Sequence, residues 1–173
     1  LRSIGYQVSG QIAGPASFSV DDNFVFFNPK AGLTYEVASG QKLYFSYAKA
    51  QREPNRTDYE NGNPKPEKLD DFELGWRINT PKLQAQTNVY WMEYKDQLVL
   101  TGAIDAVGSP IRQNVGKSRR LGIELEFKMN LNSNWLWQPN IALSSDQNLD
   151  FYFKRDGVLE NLGKTQLAYS PNL

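Results

Sequence analysis

The chain has 173 residues and balances 19 Lys plus Arg against 19 Asp plus Glu, which argues against a nucleic-acid surface built on bulk positive charge. It contains neither Cys nor His, so disulfides, thiolate nucleophiles, zinc–thiolate centres and imidazole acid–base chemistry are excluded. Mean hydropathy is polar at -0.57 although aromatics reach 13%; no apolar run is long enough for a transmembrane helix, and the alternating strands of a β-barrel would show none.

Read in order, residues 4–12 set Ile4, Tyr6, Val8 and Ile12 against Gly5, Gln7, Ser9 and Gln11, the alternation of a strand. Residues 13–23, with Gly14, Pro15 and the Asp21–Asp22 pair, read as a polar connection. A second strand, 24–37, places Val25, Phe27, Ala31, Leu33, Tyr35 and Val37 on one face. Its other face carries Asn28, Lys30, Gly32, Thr34 and Glu36, and Pro29 marks a bulge. After a turn at 38–41, a third strand alternates Leu43, Phe45 and Tyr47 with Tyr44, Ser46, Ala48 and Ala50. A polar loop over 51–68 follows, rich in Pro, Asn and Gly.

The fourth strand sets Phe72, Leu74, Trp76 and Ile78 against Asp71, Glu73, Gly75, Arg77 and Asn79, and ends at the turn Thr80-Pro81-Lys82. A fifth strand spans 83–100 and opens into a loop over 101–117. The sixth, 118–131, is the most regular: Leu121, Ile123, Leu125, Phe127, Met129 and Leu131 oppose Arg120, Gly122, Glu124, Glu126, Lys128 and Asn130. Asn132-Ser133-Asn134 turns into a seventh strand bearing Trp135, Trp137, Ile141 and Leu143; a mixed loop over 145–163 leads to an eighth near Lys164.

The connections alternate long and short, so an antiparallel meander of about eight strands would carry its loops at one end and its tight turns at the other. Outer-membrane barrels have that asymmetry, together with aromatic residues at both interfaces. Tyr35, Tyr44, Trp76, Trp91, Trp135, Trp137 and Tyr169 are the expected girdle. Two other architectures share the alternation: a soluble β-sandwich acting as a ligand-binding module, and a small self-closing barrel acting as an anchor or adhesin.

Five segments carry a more specific signal: FFNPKAGLTY at 26–35, YFSYAKAQREPNR at 44–56, PKPEKLDDFELGWR at 64–77, NVYWMEYKDQLVLTG at 88–102 and SRRLGIELEF at 118–127. In order and spacing the chain resembles the C-terminal part of the β-barrel domain of TonB-dependent outer-membrane receptors. The resemblance implies an all-β, antiparallel up-and-down meander forming part of a 22-stranded transmembrane barrel. It implies import of a scarce nutrient, a ferric siderophore first among the candidates, with no catalysis and no bound cofactor or metal. Outer-membrane lipid, the nutrient and TonB, acting through a plug domain, are the implied partners. Residues 1–173 read as a partial barrel without the plug or the closing strand.

Ligand contact in such a receptor falls to residues on the loops at the outer rim: Arg52, Arg56 and Tyr59 after the third strand, and Arg112, Gln113 and Asn114 after the fifth. The same arginines can instead pair with Glu53, Asp58 and Glu60 as ordinary surface charges. Lys30, Glu36, Glu73, Arg77, Arg120, Glu124, Glu126 and Lys128 are expected to face the lumen as a ladder of opposite charges paired across strands. Glu124 and Glu126 have no accompanying feature of a glycosidase pair, and Gly116-Lys117-Ser118 lacks the glycine and helix of a phosphate loop.

Overall fold

The computed structural model describes residues 1–11, 17–105, 108–155, 158–168 and 170. The order is β1 (Arg2–Gln11), β2 (Ser17–Phe26), β3 (Lys30–Ala38), β4 (Gln41–Arg52), α1 (Arg56–Glu60), β5 (Glu67–Asn79), β6 (Leu83–Ile104), β7 (Pro110–Asn130), β8 (Leu136–Trp137), β9 (Asn140–Arg155) and β10 (Val158–Gln166). Strands β3 to β10 form one antiparallel sheet in the order β10-β9-β7-β6-β5-β4-β3, with β8 paired beside β7; β1 and β2 form a separate two-stranded sheet.

The period-two pattern becomes a set of rows running across this sheet. Leu33 faces Phe45, which faces Leu74, then Val89, Ile123 and Leu143, an apolar row over six strands. The next row of that face reads Tyr35, Leu43, Trp76, Thr87, Leu125 and Ile141. A row on the opposite face reads Glu36, Lys42, Arg77, Gln86, Glu126 and Asn140. The apolar face is left open: Leu33 is 77% exposed, Leu74 55% and Leu143 46%. A soluble sandwich would cover such a face with a second sheet. The sheet is also open at its sides, since β3 and β10 stand at opposite ends of the strand order, where a self-closing barrel would pair them.

The turns recede across the sheet. The pair closing the β3–β4 hairpin lies level with Phe127, that of β5–β6 with Lys128, and that of β7–β8 at Asn130. This stepping is the stagger that tilted barrel strands require.

Several boundaries differ from those read in the sequence. Residues 17–26, placed largely in a polar connection, are strand β2, and the second strand breaks into β2 and β3 at Pro29. The expected loops at 101–117 and 145–163 are for the most part strand. β6 and β7 stay paired as far as Ile104 with Pro110, and β9 and β10 pair from Val158 with Arg155. Backbone ladder bonds are indifferent to side-chain polarity, so strands continue past the apolar belt where alternation no longer marks them. The loop at 51–68 narrows to 53–66 and contains α1, which the sequence reading did not place.

Tyr44, expected in the girdle, lies on the polar face. Its ring lies over Gly75, where an added Cβ would sit 2.1 Å from Cζ, and its hydroxyl donates to Asn88 Oδ1 at 2.9 Å. Tyr90 covers Gly122 in the same way, with a Cβ there only 2.4 Å from the ring. Glycine at these two positions makes room for an aromatic ring from the neighbouring strand. Trp76, Trp91, Trp135 and Trp137 do stand exposed, and Tyr169 lies outside the described residues.

Candidate functional site

At the loop end, the strands project beyond the apolar belt and meet a polar cluster built around α1. Asn55 caps this five-residue helix: its side chain accepts from Asp58 N at 3.1 Å, while Asp58 Oδ2 accepts from Asn55 N at 2.9 Å. The pattern Asn-x-x-Asp is the sequence signal that reveals the helix start. Asp58 is only 4% exposed. Its carboxylate meets Arg112 on β7, with Nη2 2.9 Å from Oδ1 and 3.1 Å from Oδ2. The buried charge is therefore paired, with Oδ2 hydrogen-bonded by Arg112 and the Asn55 amide while Oδ1 has the ion pair.

Tyr59, 8% exposed, points the other way. Its hydroxyl donates to Asp22 Oδ2 at 2.6 Å and its ring stacks on Tyr6 with centroids 5.4 Å apart, so it joins α1 to the β1–β2 sheet. Burial, reinforced by the hydrogen bond to Asp22, pushes the Tyr59 phenol well above its ordinary value. Arg2 reaches Glu53 at 2.7 Å and strengthens the same junction. Between these parts lies a recess of about 280 Å³ lined by Tyr6, Arg52, Glu53, Pro54, Asn55 and Asp58.

The six residues expected to touch ligand are thus gathered at one end of the sheet, but they do not share one setting. Arg52 ends β4 and pairs with Glu67 at 2.5 Å, not with Glu53. Arg56 pairs with Glu60 at 2.7 Å along α1. Arg112, Gln113 and Asn114 are strand residues of β7, opposite Leu100, Val99 and Leu98, where a loop was expected. Asn114 holds the connection before β5: its Oδ1 accepts from Lys65 N at 2.7 Å and its Nδ2 donates to Lys65 O at 3.0 Å. The same Nδ2 donates to the carbonyl of Asp96, which has a left-handed φ of 56°.

A second recess of about 410 Å³ opens on the polar face between β4, β5, β6 and β7, lined in part by Arg52, Glu67, Tyr94, Gln97 and Arg120. The Arg120 guanidinium lies over the Tyr94 ring at 5.0 Å. Ser118, 1% exposed, donates to Gln97 Oε1 at 2.5 Å in its wall. Sequence reading missed Arg2, Tyr6, Asp22, Glu67 and Gln97, because each acts through a partner far away along the chain.

The polar face corrects the expected charge ladder. Among the described residues no ion pair within 4.0 Å involves Lys30, Glu36, Glu73, Arg77, Arg120, Glu124, Glu126 or Lys128. Register accounts for part of this: Arg77 falls between Lys42 and Gln86, and Glu126 between Gln86 and Asn140, while Glu36 stands opposite Lys42 and Arg120 opposite Asp146 without closing to an ion pair. Arg77 Nε donates to Gln86 Oε1 at 3.1 Å, so an amide takes the place of a carboxylate.

Comparison with known proteins places this geometry. The family described as "TonB dependent receptor-like, beta-barrel" matches residues 5–173. No protein of curated function matches the chain in sequence. Among solved structures, "Copper transporter OprC" is similar at a TM-score of 0.60 and 22% identity, covering 77% of this chain and 21% of that one. The FrpB iron transporter from Neisseria meningitidis (F3-3 variant) gives 0.56 and 18%, covering 76% and 21%. The ferric yersiniabactin uptake receptor FyuA from Yersinia pestis gives 0.54 and 22%, covering 82% and 22%. The chain spans about a fifth of the length of these structures.

Proposed function

Because the chain belongs to the TonB-dependent receptor β-barrel family, we propose that it forms part of the wall of an outer-membrane receptor that imports a scarce nutrient, a ferric siderophore foremost. The observation that carries this reading is the open apolar face, one row of which crosses six strands from Leu33 to Leu143. In water such a face would be an aggregation hazard; against lipid it is the ordinary outer surface of a barrel. The opposite face, with Arg77, Glu126 and Lys128 around a recess of about 460 Å³, suits a wet lumen. Members of the family are outer-membrane proteins, and this chain is assigned there on that basis.

In the proposed cycle, the outer cluster around α1, with Arg52, Tyr59, Arg112, Gln113 and Asn114, contributes to capture of the iron chelate. A plug domain closes the bore, and TonB draws on that plug to release the cargo inward. The segment performs no catalysis. Iron is the favoured cargo over copper because FrpB, FyuA and the alcaligin receptor FauA from Bordetella pertussis accompany OprC among the similar structures. The test is uptake of radioactive iron, presented as a trihydroxamate, a tris-catecholate and a citrate complex, by cells whose only such receptor is the full-length protein. TonB-dependent uptake of one complex is expected. Correct insertion with copper uptake and no iron uptake would overturn the choice of cargo.

A further inference from the structure

Among the described residues, the β1–β2 sheet shares no backbone ladder with the large sheet. It joins β3 through residues 27–29, which belong to neither strand. Near that joint Gln51 Nε2 donates to the Phe27 carbonyl at 3.1 Å and to Asn28 Oδ1 at 3.4 Å, and Lys49 N donates to the Pro29 carbonyl at 2.9 Å. Farther out, the polar and ring contacts that hold it among the described residues run through side chains: Arg2 with Glu53, Tyr6 stacked on Tyr59, and Tyr59 bonded to Asp22. Two of these three contacts pass through Tyr59, on α1. The helix in turn is fixed to the barrel wall by Arg112 and Asp58.

We propose that Arg112 and Tyr59 are positioning residues, holding the β1–β2 sheet in place at the loop end of the large sheet through α1, so that Arg112 acts on ligand capture at second hand. This rests on the reading of the chain as a receptor wall. The relay runs from β7 through Arg112, Asp58, the capped turn at Asn55, and Tyr59 to Asp22 and Tyr6. A guanidinium whose Nη2 lies within 3.1 Å of both Asp58 oxygens has its charge directed into the protein. A five-residue helix is too short to hold its shape unaided, so its fixed place depends on these two anchors. When they are lost, a smaller fraction of molecules presents an assembled outer surface, and apparent affinity falls by that fraction.

The test uses the full-length receptor with spin labels at Ser9→Cys and Lys117→Cys, both exposed positions, and measures the distance distribution between them. Wild type is expected to give one narrow distance. Arg112→Gln and Tyr59→Phe are expected to broaden it, while Arg112→Lys, which keeps the cation, preserves it. In iron uptake, Arg112→Gln is expected to raise the half-saturating concentration about tenfold with the maximal rate nearly unchanged, as when the competent fraction drops to about one tenth. An unaltered distance in Arg112→Gln and Tyr59→Phe overturns the proposal. So does a raised half-saturating concentration without a distance change, which would make Arg112 a direct ligand contact. If wild type imports none of the three iron complexes, the function assigned above fails, while the distance measurement still decides the positioning role.

Discussion

Replacing Leu74 by Arg separates a lipid-facing surface from a water-facing one. Leu74 is already 55% exposed and stands between Phe45 and Val89 in the apolar row, midway between Phe72 and Trp76 on its own strand. If that face met water, the exchange would remove little buried area and shift stability by no more than about 0.5 kcal/mol, the usual range for surface substitutions. Facing the middle of a bilayer, an arginine costs about 2–4 kcal/mol. At 1.4 kcal/mol per factor of ten, that lowers the ratio of inserted to unfolded receptor by about 30- to 700-fold. Glu73→Arg, one residue away on the polar face, is the control and is expected to be close to neutral. The assay is urea unfolding of the full-length receptor from liposomes, read by the heat-modifiable mobility of the folded barrel. Equal midpoints for Leu74→Arg and Glu73→Arg would refute the orientation.

Other consequences follow from particular contacts. Gly122→Ala is expected to destabilise more than Gly75→Ala, both within about 1–3 kcal/mol. At Gly122 the added carbon also meets the Leu143 carbonyl at 2.8 Å, whereas at Gly75 the three nearest atoms all belong to the Tyr44 side chain; urea midpoints decide the order. Asn114→Ala leaves the Lys65 amide and carbonyl without their partner. Faster protease cleavage between residues 61 and 66 is expected, with barrel insertion unchanged. The Tyr59 phenol has a raised pKa in the fold, so its contribution to stability is present below the unfolded value near 10 and is lost as pH climbs through the folded value. Protease resistance of the α1 region should therefore fall above about pH 10, and Tyr59→Phe should flatten that dependence.

The sequence showed the sheet wherever one face is apolar and the other polar, because that alternation is itself the physical cause of the strand's orientation. Residues 121–129 and 72–78 are read correctly to the residue for this reason. It failed above the apolar belt. From Thr101 to Ile104 and from Pro110 to Lys117 both faces are mixed, and the ladder there is held by backbone bonds that leave no mark on composition. The parity of Tyr44 already placed it beside Ser46 and Ala48; treating every aromatic near a turn as interfacial obscured the glycine beneath its ring.

Register explains the remaining differences. The sequence lists the charges of each strand but not which residue they face, so a ladder of opposite charges was expected where Lys42 stands between Glu36 and the like-charged Arg77. At the outer end, the residue types expected for ligand capture were identified and do gather together. What Tyr59 and Arg112 touch depends on β1–β2 and on α1, through partners 37 and 54 residues away along the chain.

Whether the apolar face meets lipid is measured directly by a spin-label accessibility scan over residues 71–78 and 121–128 of the full-length receptor in liposomes. A period of two is expected, with oxygen accessibility high at Phe72, Leu74, Trp76, Leu121, Ile123, Leu125 and Phe127 and a water-soluble nickel reagent favoured at the residues between. Nickel accessibility at the apolar positions equal to that at the polar ones would contradict it.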